Sequence, residues 1–207
     1  MTPKKALVVD WGGVLMITSD HGPRLRWDRQ LGLAPGSAED AVFGIDAWRA
    51  AQRGEISLAG YWQAVGQHLN LTADQMAAFR MDFFSKDQLN TPLLDLLRRW
   101  HAAGVAVGLL SNNTANLHDQ IDGLGLANLF DAQVISADIG TLKPDPAAYA
   151  AILSRLDVSA SQSFFIDDFA ENIDGACAAG MCAYHYQPGC ETDLAAHVDR
   201  WLNESAP

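Results

Sequence analysis

The chain has 207 residues, 49% hydrophobic and 19% charged, and its 25 acidic against 14 basic side chains leave a formal net charge of −11. That balance excludes a broad nucleic-acid surface, which needs a basic face, so an anionic ligand must be drawn in locally by a cation or by backbone N–H groups. The three cysteines are an odd number, no apolar run approaches membrane-spanning length, and the first apolar stretch is broken by Asp10. These features predict a soluble cytoplasmic protein without a disulfide framework, a membrane span or a signal-peptide core.

Residues 6–9 are apolar, partly β-branched and too few for a helix, and they read as a central strand of an α/β sheet. Residues 16–86 are helical in pattern, without strands. Leu25, Trp27 and Leu31 give a short helix ending at Gly32, and a second helix spans 38–52. Ser57 caps a helix over 58–69 and Thr72 caps another that runs to about Ser85. Trp27, Trp48, Trp62, Phe79, Phe83 and Phe84 are assigned mainly to packing within this segment, and Arg24, Arg26, Arg49 and Arg53 to solvent. From Thr91, read as a helix cap, the pattern alternates, with strands over 105–110, 133–136, 163–166 and 182–186 and helices over 114–124, 145–156, 172–179 and 192–202. Such alternation predicts a Rossmann-like, doubly wound parallel sheet with right-handed crossovers and helices on both faces. Residues 1–15 and 87–207 would form this α/β core, and residues 16–86 an α-helical insertion over the carboxyl edge of the sheet.

The residues able to do chemistry fall at strand ends. Asp10 follows the first strand, where open α/β sheets place their ligand crevice, and Gly12 and Gly13 permit positive φ and close approach of backbone to an anion. The strand at 105–110 runs into Ser111-Asn112-Asn113, and Leu142-Lys143-Pro144 puts a cation just before a helix start. The strand at 163–166 closes on Asp167-Asp168, followed by Glu171 and Asn172. Three strand ends and one loop thus converge carboxylates, a hydroxyl, amides and an ammonium. Cys182, His185, Cys190 and His197 lack the spacing of paired zinc ligands.

The stretches Val9-Asp10-Trp11-Gly12-Gly13-Val14-Leu15, Leu110-Ser111-Asn112, Leu142-Lys143-Pro144 and Phe165-Ile166-Asp167-Asp168-Phe169-Ala170-Glu171-Asn172, in that order, resemble the haloacid dehalogenase (HAD) superfamily of phosphohydrolases. Arg53-Gly54-Glu55-Ile56-Ser57 and Ile135-Ser136-Ala137-Asp138-Ile139-Gly140 are similar to the subgroup of α-D-glucose-1-phosphate phosphatases and the amino-terminal phosphatase domain of epoxide hydrolases. The resemblance implies a helical cap on the core and hydrolysis of small phosphomonoesters, sugar phosphates among them, through an aspartyl-phosphate on Asp10. It implies Mg²⁺ held by Asp10, Asp168 and the Gly12 carbonyl, and a phosphate held by Gly12, Gly13, Ser111, Asn112 and Lys143. Ser111 and Lys143 then join Asp10 as catalytic residues. Asp167 supports the site from behind, while Asn172 orients the acidic loop or caps its helix.

The sequence departs from the family pattern at Gly12. Most phosphatases of the superfamily carry a second Asp two residues after the nucleophile, as general acid and then base. Gly12 transfers no proton, which removes assistance often worth ~10²- to 10⁴-fold. His21 is a conceivable substitute, and a plain loop histidine is the simpler reading of it. Gly12 also keeps two alternatives open: a 2-haloacid dehalogenase-type hydrolase, which would not need Asp167-Asp168, and a HAD-like protein that binds a ligand or partner without turnover.

Overall fold

The computed structural model describes residues 4–204. In chain order its elements are β1 (Ala6–Val9), β2 (Met16–Thr18), α1 (Gly22–Leu31), α2 (Ser37–Phe43), α3 (Asp46–Gln52), α4 (Leu58–His68), α5 (Ala73–Phe83) and β3 (Asp87–Leu89). There follow α6 (Thr91–Ala102), β4 (Ala106–Ser111), α7 (Leu117–Gly123), β5 (Ala132–Ile135), α8 (Ser136–Ile139), α9 (Pro146–Leu156), β6 (Ser163–Asp167), α10 (Ala170–Ala178), β7 (Cys182–His185) and α11 (Glu191–Asn203).

Five strands form a parallel sheet in the order β5-β4-β1-β6-β7, with Val8 of β1 opposite Gly108 on one side and Phe165 on the other. The period of two sends alternate side chains to opposite faces. Leu7 and Val9 join one core with Leu93, Leu97 and Trp100 of α6 and Leu194, Val198 and Trp201 of α11. Ala6 and Val8 join the other with Tyr149, Ile152 and Leu156 of α9 and Ala176 of α10. Leu7, Val8 and Val9 are all fully buried, each contributing about 1.5–3 kcal/mol, so β1 is anchored on both faces before it delivers Asp10. Successive strands are added outward from β1 in both directions, so the crevice at the reversal of strand order opens beside Asp10.

Helices α1 to α5 enclose a separate, aromatic core of Trp27, Val42, Tyr61, Trp62, Val65, Phe79 and Phe83. Two expected starts are found here: Ser57 Oγ accepts from Gly60 N, and Thr72 and Gln75 form a reciprocal capping box. The single helix expected over 38–52 is instead two. Gly44 closes α2, its N–H donating to Asp40 O at 2.7 Å, Ile45 is extended at ψ 153°, and α3 restarts at Asp46. Two short strands were not expected, and one of them falls in the segment read as helical. β2 and β3 pair antiparallel, Met16 with Leu89 and Thr18 with Asp87, as a ribbon through which the chain leaves and re-enters the α/β layer.

Smaller shifts follow from local hydrogen bonds. Asn90 rather than Thr91 caps α6, its Oδ1 accepting from Leu93 N, while its Nδ2 donates to Val14 O and to Tyr186 Oη. Ser136 opens the short helix α8 instead of closing β5. Among the described residues no helix is long and apolar enough to cross a membrane, and Cys177, Cys182 and Cys190 are free thiols.

Candidate active site

Asp10 emerges from β1 almost buried, its N–H bonded to Ile166 O at 3.0 Å. Lys143 reaches it from the loop between α8 and α9. The ammonium lies 2.9 Å from Asp10 Oδ1 and 2.6 Å from Asp167 Oδ2; the first is a charge contact, the second an aligned hydrogen bond. Burial alone pulls the Lys143 ammonium down, but the two carboxylates outweigh it and hold the group above its ordinary range, hence charged. Burial pushes the Asp10 carboxyl up against the pull of Lys143, with Asp167 adding to the rise.

The adjacent aspartates Asp167 and Asp168 have opposite surroundings. Asp167 is fully buried and saturated: Oδ1 accepts from Phe169 N and Asn172 Nδ2, and Oδ2 from Lys143 Nζ and Asn172 Nδ2. Asn172 therefore holds the acidic loop through Asp167. Asp168 is half-buried and its Oδ1, shielded from solvent, has no hydrogen-bond partner among the described residues. Burial, then the charges of Asp10 and Asp167, push its carboxyl up to about 7. An unpartnered buried carboxylate oxygen is expensive, and a hard cation is the partner that would relieve it. Asp10, Asp167 and Asp168 each offer an oxygen within 4.8 Å of the others, and no other such acidic, His or Cys trio occurs among the described residues. This donor set fits a Mg²⁺-type ion, which takes one or two carboxylates and keeps several waters.

The two glycines do different work, contrary to the expectation that both would curl N–H groups around an anion. Gly13 is left-handed at φ +73°, and its N–H is committed to Met16 O at 2.9 Å. A Cβ there would lie 2.0 Å from Asp168 Oδ2, so Gly13 is what lets the second acid close on the first. Gly12 is not left-handed, and a Cβ there would meet nothing within 4 Å. The missing acid at this position is therefore not imposed by crowding.

Ser111 ends β4, buried, and its hydroxyl makes no hydrogen bond among the described residues while facing the cavity. Asn112 turns its amide onto the Lys143 backbone, Oδ1 accepting from Lys143 N and Nδ2 donating to Lys143 O. The Asn112 side chain thus fixes the lysine loop. Two contributors were not among the expected site residues. Gln52 at the end of α3 donates to Asn112 O at 2.7 Å, and Ser136 Oγ joins Gln52 O to Asn113 N. Ser136 lies in one of the stretches that carry the subgroup resemblance, whereas Gln52 lies just before one, and the resemblance assigns neither to the site.

Arg24, expected in solvent, is 5% exposed. Its guanidinium donates to Glu39 Oε1, Asp87 Oδ1, Thr18 Oγ1 and Phe83 O, tying the ribbon to the helical insertion. His21 is exposed, 3.3 Å from Glu39. Between the strand ends and the insertion lies a cavity of about 1570 Å³, lined by Asp10, Gly12, Ser111, Lys143 and Asp168 on one wall and by Phe43, Trp48, Trp62 and Phe84 on the other.

A five-stranded parallel sheet that brings a strand-end aspartate, a buried lysine and a second acidic pair to one crevice defines a hydrolase of the HAD type. The chain belongs to the haloacid dehalogenase-like hydrolase family, matching it over residues 4–180. It is 29% identical over 185 residues to a sesquiterpene phosphatase of Aspergillus oryzae, covering 89% of this chain and 90% of that one. It is also 29% identical over 190 residues to bifunctional epoxide hydrolase 2 of Mus musculus, covering 83% of this chain and 34% of that protein. Among solved structures, a HAD family enzyme of Bacteroides thetaiotaomicron, in complex with magnesium and inorganic phosphate, superposes with a TM-score of 0.71 at 22% identity, covering 90% of this chain and 96% of that one.

Proposed function

We propose that this phosphatase-type hydrolase cleaves small phosphomonoesters through an aspartyl-phosphate on Asp10, with α1 to α5 as its cap. The single observation that carries the reading is the trio of converging carboxylates beside Lys143, with one buried oxygen of Asp168 left unpartnered. Asp10, Asp168 and the Gly12 carbonyl would hold Mg²⁺, which supplies positive charge that offsets repulsion between a carboxylate and a phosphate. Likeness to a sesquiterpene phosphatase, and to a fold relative holding magnesium and phosphate, supports this assignment.

The chain's own residues divide the work. Lys143 opposes the rise that burial imposes on Asp10 and aims the carboxylate, and Asp167 with Asn172 holds Lys143. The Ser111 hydroxyl donates to a phosphate oxygen, and Gln52 with Asn112 keeps that loop and the lysine loop in register. Asp10 Oδ attacks phosphorus as the P–O bond to the leaving alcohol breaks; the alcohol departs with the bonding pair and takes a proton from water. A second water then adds to phosphorus, giving up a proton, and the Asp10 carboxylate and inorganic phosphate separate. Because Gly12 brings no proton, substrates whose oxygen leaves unprotonated are favoured.

Phosphate release from p-nitrophenyl phosphate with Mg²⁺, with EDTA, and in Asp10→Asn tests the reading. Turnover abolished by EDTA and by the substitution is expected. Turnover retained in folded Asp10→Asn removes the nucleophile, and none in the wild type leaves the non-catalytic binder as the better account, for which the bare Gly12 is the motivating observation.

A further inference from the structure

Resting on the phosphatase reading above, we infer that the natural leaving group is an apolar phenol, so that the substrate class is aryl phosphates rather than sugar phosphates. The first observation is the apolar lining of the cavity, most of it from the insertion. Of the seven large hydrophobic side chains exposed on the described surface, four line this one cavity: Phe43, Met81, Phe84 and Phe169, at 39%, 78%, 38% and 62% exposure. Trp48 and Trp62 extend the same wall, and Phe84 meets Trp62 edge-on at 5.9 Å. Apolar surface gathered in one concave place is the mark of a ligand, since elsewhere on the molecule such side chains are scattered singly.

Several polar groups on that wall are already engaged, while Asp40, Arg49 and Arg80 carry no side-chain hydrogen bond among the described residues and Arg80 lies over the Trp62 ring. Arg24 is satisfied by Glu39, Asp87, Thr18 and Phe83 O, Tyr61 Oη donates to Val42 O at 2.6 Å, and Gln52 Nε2 donates to Asn112 O. A sugar seated against Phe43, Trp62 and Phe84 would leave hydroxyls facing aromatic rings and would lose hydrogen bonds to water. A flat, apolar ring would instead take edge and face contacts of the kind those rings already make with one another. The cavity, about 1570 Å³, exceeds what a phosphate alone occupies and allows a body of two or more fused rings.

The second observation is independent and chemical. Gly12 carries no acid, and the space beside it is empty of side chains. A leaving oxygen must therefore depart as its anion. A phenol, like tyrosine, ionises near ~10, against ~16 for water-like alcohols. A phenolate thus leaves with the P–O bonding pair where an alkoxide does not, and takes its proton from solvent afterwards. Aromatic walls and an absent acid select the same kind of molecule.

The test compares 1-naphthyl, phenyl and n-octyl phosphates with glucose 1-phosphate and glucose 6-phosphate, on the Mg²⁺-loaded wild-type protein. 1-Naphthol is slightly the more acidic of the two leaving groups, so ring contact is read from the change that a wall substitution makes in their ratio, which leaving-group acidity does not alter. The expected kcat/KM is about tenfold higher for 1-naphthyl than for phenyl, the worth of roughly 50 Å² of extra apolar surface. Both should exceed octyl and the sugars. Phe84→Gln, and the more exposed Met81→Gln should the first lose its cooperative melt, should reduce the naphthyl-to-phenyl ratio several-fold. Equal rates for the two aryl esters, or sugar phosphates turned over faster than either, overturn the inference and leave the phosphatase reading standing. Phosphate release from none of the five overturns both.

Discussion

Gly13 is the position where a single methyl group should separate metal binding from folding. In Gly13→Ala the new Cβ would lie 2.0 Å from Asp168 Oδ2 and 2.5 Å from its Cγ, well inside the 3.0 Å that real Cβ atoms keep. The obstructing atoms belong to the end of a short side chain, so the carboxylate swings aside and the backbone stays. What remains is the cost of an alanine at φ +73°, about 1–2 kcal/mol. For a chain of this length that lowers Tm by about 2–8 °C. The wild type in Mg²⁺ at a hundredfold excess over Kd should gain about 2.7 kcal/mol, or about 5–11 °C, and the variant should gain almost none of it. Thermal melts in EDTA and across a Mg²⁺ titration read both effects. Gly12→Ala, with open space at its Cβ, is the control and should keep the metal response. A Gly13→Ala protein that retains the full Mg²⁺-dependent rise in Tm would refute the idea that this glycine admits Asp168 to the metal.

Lys143→Met leaves the Asp10 and Asp167 carboxylates buried without their cation, and should cost about 3–5 kcal/mol, a fall of about 6–20 °C; a loss of under two degrees would contradict the charge balance drawn here. Gly12→Asp places a carboxyl in open space beside the nucleophile, and should raise kcat on glucose 6-phosphate by up to ~10²-fold with less effect on p-nitrophenyl phosphate; equal gains on both would show that leaving-group protonation is not what Gly12 lacks. Asp168 supplies a pH signature. Its folded-state value, about 7, lies above the ordinary 3.8, so the acid form is favoured by folding. That contribution is present below about pH 4 and is lost as pH rises through about 7, so the metal-free Tm should decline over this window and the decline should shrink in Asp168→Asn. Mg²⁺ competes with the same proton, so its apparent affinity should weaken about tenfold per unit below pH 7. A metal-free Tm indifferent to pH in both proteins would remove this assignment.

The strand ends were legible because two constraints coincide there. A short apolar run must become a buried strand, and the polar residue that stops it must then lie at the crevice; Asp10, Ser111 and Asp167 each follow this rule. The division of labour between Asp167 and Asp168 was not legible from their spacing. It depends on which carboxylate meets Asn172 and Lys143, which only the folded loop decides. The ribbon strands are three residues each and half polar, too brief for a period of two to register. The break between α2 and α3 lies at a glycine inside an otherwise helical pattern, where tertiary packing overrode a continuous apolar stripe. Arg24 reads as a surface residue because its partners, Thr18, Glu39 and Asp87, are distributed over both ribbon strands and a second helix.

The ribbon of β2 and β3 also bears on how such a molecule can change over generations. Because Thr18 faces Asp87 across a paired register, the long excursion between them begins and ends at neighbouring points, and the core strands are indifferent to its length. Doubling a loop closed in this way adds only about 0.6 kcal/mol of closure entropy. Apart from the end of α3, where Gln52 meets Asn112 and Ser136, the helical lobe joins the core through one narrow stem, so its aromatic lining can be exchanged for another while that one contact and Asp10 keep their places.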